Sequence, residues 1–297
     1  MIKYNACINY ISSRNKCIQY SLLNLWNNFN HIYNYPVYVY YFDDIYDSKD
    51  VRNNILKSCP QNVIFRSIPY KTPEFIKEEE LFYNRDLWYV KSRFPSWRKG
   101  YLHMCNFKCN LYKYENTDFH KFDYMLMHDD EAGYTKEMDF NPFEVISNKE
   151  NLMGAYWFND RTKSGISRGN IETTLNLWDL AHKFIKENKL NLTNIDILAL
   201  MNDPNASVNI NGLNILGTYV IKTKMFETDL WKKWIKAVNE SGGVYKYRWG
   251  DNDVYTLFML MTEHGAYNFK AAEKGFHDVY KYRGIQDYAP GVKDVKR

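Results

Sequence analysis

The chain has 297 residues, of which 45% are apolar and 17% aromatic, a load that excludes intrinsic disorder. Its 39 basic and 35 acidic side chains leave a net charge of +4, too balanced for nucleic acid to be the main partner. No segment approaches the about 18 uncharged apolar residues that a membrane span requires, and the opening MIKYNACINYISSRNK lacks the apolar core of a signal peptide.

Taken in chain order, Ala6–Ile11 predicts a buried strand and Lys16–Phe29 a helix with Ile18, Leu22, Leu25 and Phe29 on one stripe. The aromatic and β-branched run Pro36–Phe42 predicts a second strand, residues 49–58 a short helix, and Asn62–Ile68 a third strand. Strand–helix–strand–helix–strand is the signature of a mostly parallel sheet covered by helices. A polar, aromatic-rich stretch from Pro69 to Lys99 reads as surface helix and loop. Tyr101–Tyr114 has helical spacing, and Phe122–Met127 is an apolar strand that runs into His128-Asp129-Asp130-Glu131. Leu152–Phe158 and Tyr219–Ile221 predict further strands, and Thr173–Lys189 and Glu227–Glu240 amphipathic helices. Asp251 reads as the N-cap of a last helix, Asn252–Glu263. No repeat or linker divides the chain, so residues 1–297 read as one domain.

Three segments carry candidate chemistry. Ligands of α/β folds bind at the carboxyl ends of strands, so the Asp129-Asp130-Glu131 run offers hard oxygen ligands to a divalent cation on a diphosphate, or is a solvated acidic turn. Gly242-Gly243 permits a tight turn. Arg248 is placed to anchor a phosphate or carboxylate, and Asp251 is either a cap or a carboxylate aimed at a sugar hydroxyl. His277, beside Asp278, has the form of a metal ligand oriented by a carboxylate. The five cysteines form no CxxC pair; Cys105 and Cys109 stand at zinc-compatible helical spacing, but the plain reading is buried thiols. No P-loop, GxGxxG, GxSxG or HExxH occurs, which excludes P-loop nucleotide hydrolysis, Rossmann dehydrogenase and serine-hydrolase readings.

The order of these motifs resembles glycosyltransferase family 15, the fungal α-1,2-mannosyltransferases that carry mannose from GDP-mannose onto O- and N-linked glycans in the Golgi. The stretches that carry the resemblance are Tyr101–Phe107 (YLHMCNF), the strand and acidic turn followed by Asp139-Phe-Asn-Pro-Phe143, and Thr174–Asn188. The Gly-Gly to Arg-Trp-Gly-Asp segment at 242–251 and Phe276-His277-Asp278-Val279 complete the set. The similarity runs from about residue 4 to residue 283.

The resemblance implies a GT-A fold, an α/β domain with a mostly parallel central sheet, and a retaining glycosyltransferase using Mn²⁺. Its donor is GDP-mannose, with a UDP-hexose open, and its acceptor a glycan or glycoprotein hydroxyl. The family's Glu-Pro-Asp turn falls on His128, Asp129 and Asp130, so Asp130 and His277 are the implied metal ligands. Asp251 and Arg248 are the implied catalytic pair, while Arg14, Asp129 and Tyr101 are assigned to donor binding.

Departures accompany the resemblance. The family places a Glu about 32 positions before the Asp251 equivalent, where this chain has Thr218-Tyr219-Val220, and Glu227 lies too far along to substitute. A front-face route, in which a leaving phosphate oxygen takes the acceptor proton, is therefore expected. Asn106 replaces an Arg, Lys108-Cys109-Asn110 an Asn-Ser-Gly, and Tyr255 a His. A catalytically degenerate protein that binds nucleotide-sugar or glycan without transfer is the alternative. A complete, anchorless chain implies the cytoplasm or a virus factory, a piece of an anchored protein the Golgi lumen. The Asn-, Lys- and Tyr-rich composition points to a large DNA virus or a protist as the source.

Overall fold

The computed structural model describes residues 4–12, 15–42, 46–57, 59, 62–69, 72–84, 99–111, 117–155, 158–159, 175–192, 214–215, 218–262, 265–269 and 280–281. Strand β1 (Ala6–Ile11) leads into helix α1 (Asn15–Leu25), which continues through one wider turn, Trp26–Asn30, and stops where Asn34 adopts a left-handed conformation. Strand β2 (Val37–Tyr41), helix α2 (Lys49–Leu56, capped by Ser48) and strand β3 (Val63–Ser67) follow. Next come α3 (Lys99–Cys109), β4 (Tyr124–Asp129), β5 (Gly133–Tyr134), α4 (Pro142–Ser147), β6 (Met153–Ala155) and β7 (Phe158–Asn159). The remainder is α5 (Leu177–Glu187), β8 (Asn214–Ile215), β9 (Tyr219–Lys222), α6 (Asp229–Ser241), α7 (Gly243–Tyr247), α8 (Asp251–Met261), β10 (Ala266–Asn268) and β11 (Tyr280–Lys281).

Seven strands form one sheet in the order β10-β6-β9-β4-β1-β2-β3. Neighbours run parallel except β9, which is antiparallel to both β4 and β6. Two short ribbons, β5 with β11 and β7 with β8, lie apart from it.

Strand periodicity divides the interior in two. Cys7, Tyr38, Tyr40, Met125, Met127, Tyr219 and Ile221 point to the face covered by α3, α5, α6, α7 and α8. Ala6, Ile8, Tyr10, Val37, Val39, Leu126 and Val220 point to the face covered by α1, α2 and α4. Burial on both faces explains the near-continuous apolar reading of these strands. The result is a mostly parallel sheet covered by helices on both faces, the α/β layering that the resemblance implies.

Two glycines shape the approach to α8. Gly242 ends α6 at φ +70°, the left-handed region open to glycine. Gly243 begins α7 against the Trp249 ring, where a Cβ would lie 2.3 Å from ring carbons. The tight turn expected there is thus a helix stop followed by a close packing contact.

Candidate active site at the carboxyl edge of the sheet

The parallel strands β1, β2 and β4 all finish at one edge, and β9, running the other way, enters the sheet there with Tyr219. Alternation along β4 sends Asp129 to the same face as Met125 and Met127, toward α3 and α8. On α3, Tyr101, Cys105 and Lys108 recur at helical spacing along one side. Lys108 Nζ consequently lies 3.1 Å from Asp129 Oδ1 and 3.6 Å from Asp251 Oδ2, with the side chains only 8%, 23% and 4% exposed.

Asp251 is the first residue of α8, and Gly250 occupies the cap position, so the expected N-cap role is incorrect. Its carboxylate turns inward instead, and Tyr219 Oη donates to Oδ2 at 3.2 Å. Tyr255 Oη donates to the Lys108 carbonyl at 2.7 Å, tying α8 to α3. Burial raises the Asp251 pKa, and the Lys108 ammonium works against that rise. Burial pulls the Lys108 pKa down, but Asp129 and Asp251 outweigh it and hold the amine protonated.

The next residue faces a different environment. The β1–β4 register pairs Ile11 with Asp129, which brings Ser12 beside Asp130. Ser12 Oγ donates to Asp130 Oδ2 at 2.5 Å, and Tyr46 Oη lies 3.2 Å from the same hydroxyl. Asp130 is thus a buried carboxylate that accepts from the Ser12 hydroxyl, an oxygen donor suited to a hard cation such as Mn²⁺. Glu131 is buried beside it in the turn.

His128 points to the opposite face, between the rings of Tyr10 and Tyr134 at 4.9 and 5.5 Å. Its Nδ1 donates to the Asp129 carbonyl at 2.8 Å, which places the neutral-ring proton on Nδ1. Burial lowers its pKa to about 4, so this imidazole is neutral.

Arg248 is half-buried, at φ +62°, with Nη2 donating to Tyr101 Oη at 2.9 Å and the guanidinium 4.6 Å from that ring's centre. The implied catalytic Arg248 and the implied donor residue Tyr101 are therefore partners of each other. Arg14 and His277 lie outside the described residues.

All five cysteines are buried free thiols, and burial pushes Cys105 up to about 12. Among the described residues no three His, Cys, Asp or Glu converge as a metal site, and no helix is long and apolar enough to cross a membrane.

Sequence reasoning missed Lys108 and Tyr219 as site residues. A charged residue on the inward stripe of α3, seven after Tyr101, was the signal for the first. The second was marked only as lying where the resemblance calls for a carboxylate, because a tyrosine opening an apolar strand by itself reads as core.

A family model described as glycolipid 2-alpha-mannosyltransferase matches residues 1–277. The chain is 24% identical over 241 residues to the O-glycoside alpha-1,2-mannosyltransferase omh1 of Schizosaccharomyces pombe, covering 80% of this chain and 59% of that protein. It therefore spans less than two thirds of that relative's length. Core-mannan synthase A (CmsA/Ktr4) from Aspergillus fumigatus, solved in a Mn/GDP form, is similar with a TM-score of 0.70 at 15% identity, over 94% of this chain and 74% of that one. The mannosyltransferase Ktr4p from S. cerevisiae is similar with a TM-score of 0.69 at 18% identity, over 94% and 70%.

Proposed function

The chain belongs to the glycolipid 2-alpha-mannosyltransferase family, and from that premise we propose that it is a retaining glycosyltransferase moving mannose from GDP-mannose to a glycan or glycoprotein hydroxyl. The observation that carries this reading is the meeting of Asp129 and Asp251 on Lys108, from separate elements, at the carboxyl edge of a GT-A sheet, with Asp130 the next residue beyond that edge. Asp130 and His277 are the proposed Mn²⁺ ligands. When bound, the ion neutralises charge on the departing diphosphate.

The protein's own groups do the rest. Arg248, steadied against Tyr101, and Arg14 bind phosphate oxygens through charge-assisted bonds. Asp129 and Tyr101 border the donor, and Asp251 orients the mannose and the incoming hydroxyl. In the front-face route the bond from C1 to the phosphate oxygen breaks with its electron pair leaving on GDP. The acceptor oxygen bonds to C1 on the same face, and its proton passes to a phosphate oxygen.

Tyr219, a phenol hydrogen-bonded to Asp251, stands where the resemblance called for a carboxylate, which supports a route without a covalent intermediate on that residue. The same observation favours the second reading, a protein that binds nucleotide-sugar without transfer.

Calorimetry of GDP, UDP and their hexose conjugates, with Mn²⁺ and with EDTA, tests the proposal. Metal-dependent binding that favours GDP-mannose is expected; absence of binding by every nucleotide would overturn it. GDP release from GDP-mannose in the presence of α-methyl mannoside separates transferase from binder.

A further inference from the structure

Lys108 takes no part in the roles assigned above, yet β4 and α8 meet on it. Two carboxylates drawn to one poorly solvated point repel each other, and the ammonium between them converts that repulsion into two attractions at 3.1 and 3.6 Å. Its effect on Asp251 is directional as well as electrostatic. Lys108 and Tyr219 both engage Oδ2, and two contacts from different elements on one oxygen fix the rotation of the carboxyl group and the placing of Oδ1. α3 itself is tied to α8 by the Tyr255 bond to the Lys108 carbonyl, so the backbone that carries the ammonium is anchored to the helix that carries its target.

We propose that Lys108 is a positioning residue for glycosyl transfer, setting the orientation of Asp251 at the donor sugar with Tyr219 as its neutral counterpart. The inference rests on the reading that Asp251 serves the transfer step. A buried ion pair that only supports the fold makes a different prediction: loss of stability with no selective loss of turnover.

The test uses the full chain and three variants, Tyr219→Phe, Lys108→Met and Lys108→Arg. Each is measured by thermal melting, by calorimetric GDP binding with Mn²⁺, and by GDP release from GDP-mannose with α-methyl mannoside. Tyr219→Phe, which removes one hydroxyl from a packed ring, should melt near the parent and bind GDP within about twofold, while kcat falls about tenfold. Lys108→Met should lose about a hundredfold or more in kcat, and Lys108→Arg should recover most of that loss because the cation is restored.

Full turnover in Tyr219→Phe overturns the proposal, as does a Lys108→Met variant whose GDP affinity and kcat fall together. If Lys108→Met does not fold, Tyr219→Phe decides alone. A parent chain that neither binds nor turns over GDP-mannose removes the functional reading and this inference with it. An active parent with unaffected variants removes the inference only.

Discussion

Asp129 and Asp130 are adjacent in the chain and face different partners. Asp129, the last residue of β4, meets the Lys108 ammonium; Asp130, one residue into the turn, accepts from the Ser12 hydroxyl, which Tyr46 Oη contacts in turn. The strand's twofold periodicity causes the difference, since it sends Asp129 to the α3–α8 face while the β1 register delivers Ser12 to Asp130. A carboxylate already neutralised by a protein cation has little charge left for a metal. A carboxylate bonded to a hydroxyl still presents a hard oxygen to an ion. In the proposed function the neighbouring acids accordingly take separate roles, Asp129 organising the protein and Asp130 serving the metal.

The largest expected effect breaks this comparison directly. Asp130→Ala should abolish the Mn²⁺-dependent part of GDP affinity, a loss of about a hundredfold or more, and His277→Ala should do the same. Asp129→Asn should leave that affinity within a few-fold and show itself as a lower melting temperature, because Lys108 keeps only Asp251. Calorimetry with and without EDTA checks all three. Equal losses from Asp129→Asn and Asp130→Ala would show that the two acids share one role.

Asp251→Asn comes next. It preserves shape and the Tyr219 contact while removing the charge that Lys108 holds. A kcat loss of about a hundredfold is expected with GDP affinity within about threefold. Because Gly250 holds the cap position, the melt should reflect the lost ion pair and not an uncapped helix. Turnover that survives intact would reduce Asp251 to a structural partner of Lys108.

Much of this was legible beforehand, for reasons that vary along the chain. β1 was expected at its observed limits because Ala6–Ile11 is buried on both faces, and β2, β3 and α6 followed from equally regular patterns. The antiparallel sense of β9 was hidden, since direction depends on which strands pair and a four-residue strand carries no mark of it. β10 and α4 were missed because elements of three and six residues leave too little periodicity. In the site, the acidic turn and the Arg248–Asp251 segment are local motifs and were found. Lys108 and Tyr219 act through contacts made by the fold, with partners 21 and 32 positions away, which no local pattern records.

His128 sharpens the comparison from the other side of β4. Its folded pKa of about 4 lies below the ordinary 6.5, so between those values the unfolded chain takes up a proton that the folded imidazole refuses. Stability should therefore fall as pH drops through that window, by about 3 kcal/mol when the loss is complete below about pH 4. Urea titrations in EDTA at several pH values measure the slope. In His128→Gln this part of the slope should vanish, and an unchanged slope would assign the acid sensitivity to the carboxylates instead.

The smallest expected effect belongs to Glu227. β9 leaves the site edge at Tyr219 and runs toward the amino end of β4, where the Thr223 amide bonds the Asp123 carbonyl and its hydroxyl donates to that of Phe122. Glu227 closes the 3-10 turn just beyond, at the end of the sheet opposite Asp251. A carboxylate there cannot reach a sugar held among Asp130, Asp251 and Arg248 without dismantling β9. Glu227→Ala should accordingly leave kcat and GDP affinity within about twofold of the parent. A thousandfold loss would mean that the reacting sugar lies elsewhere, and the division of labour between Asp129 and Asp130 would then describe only how the fold is held.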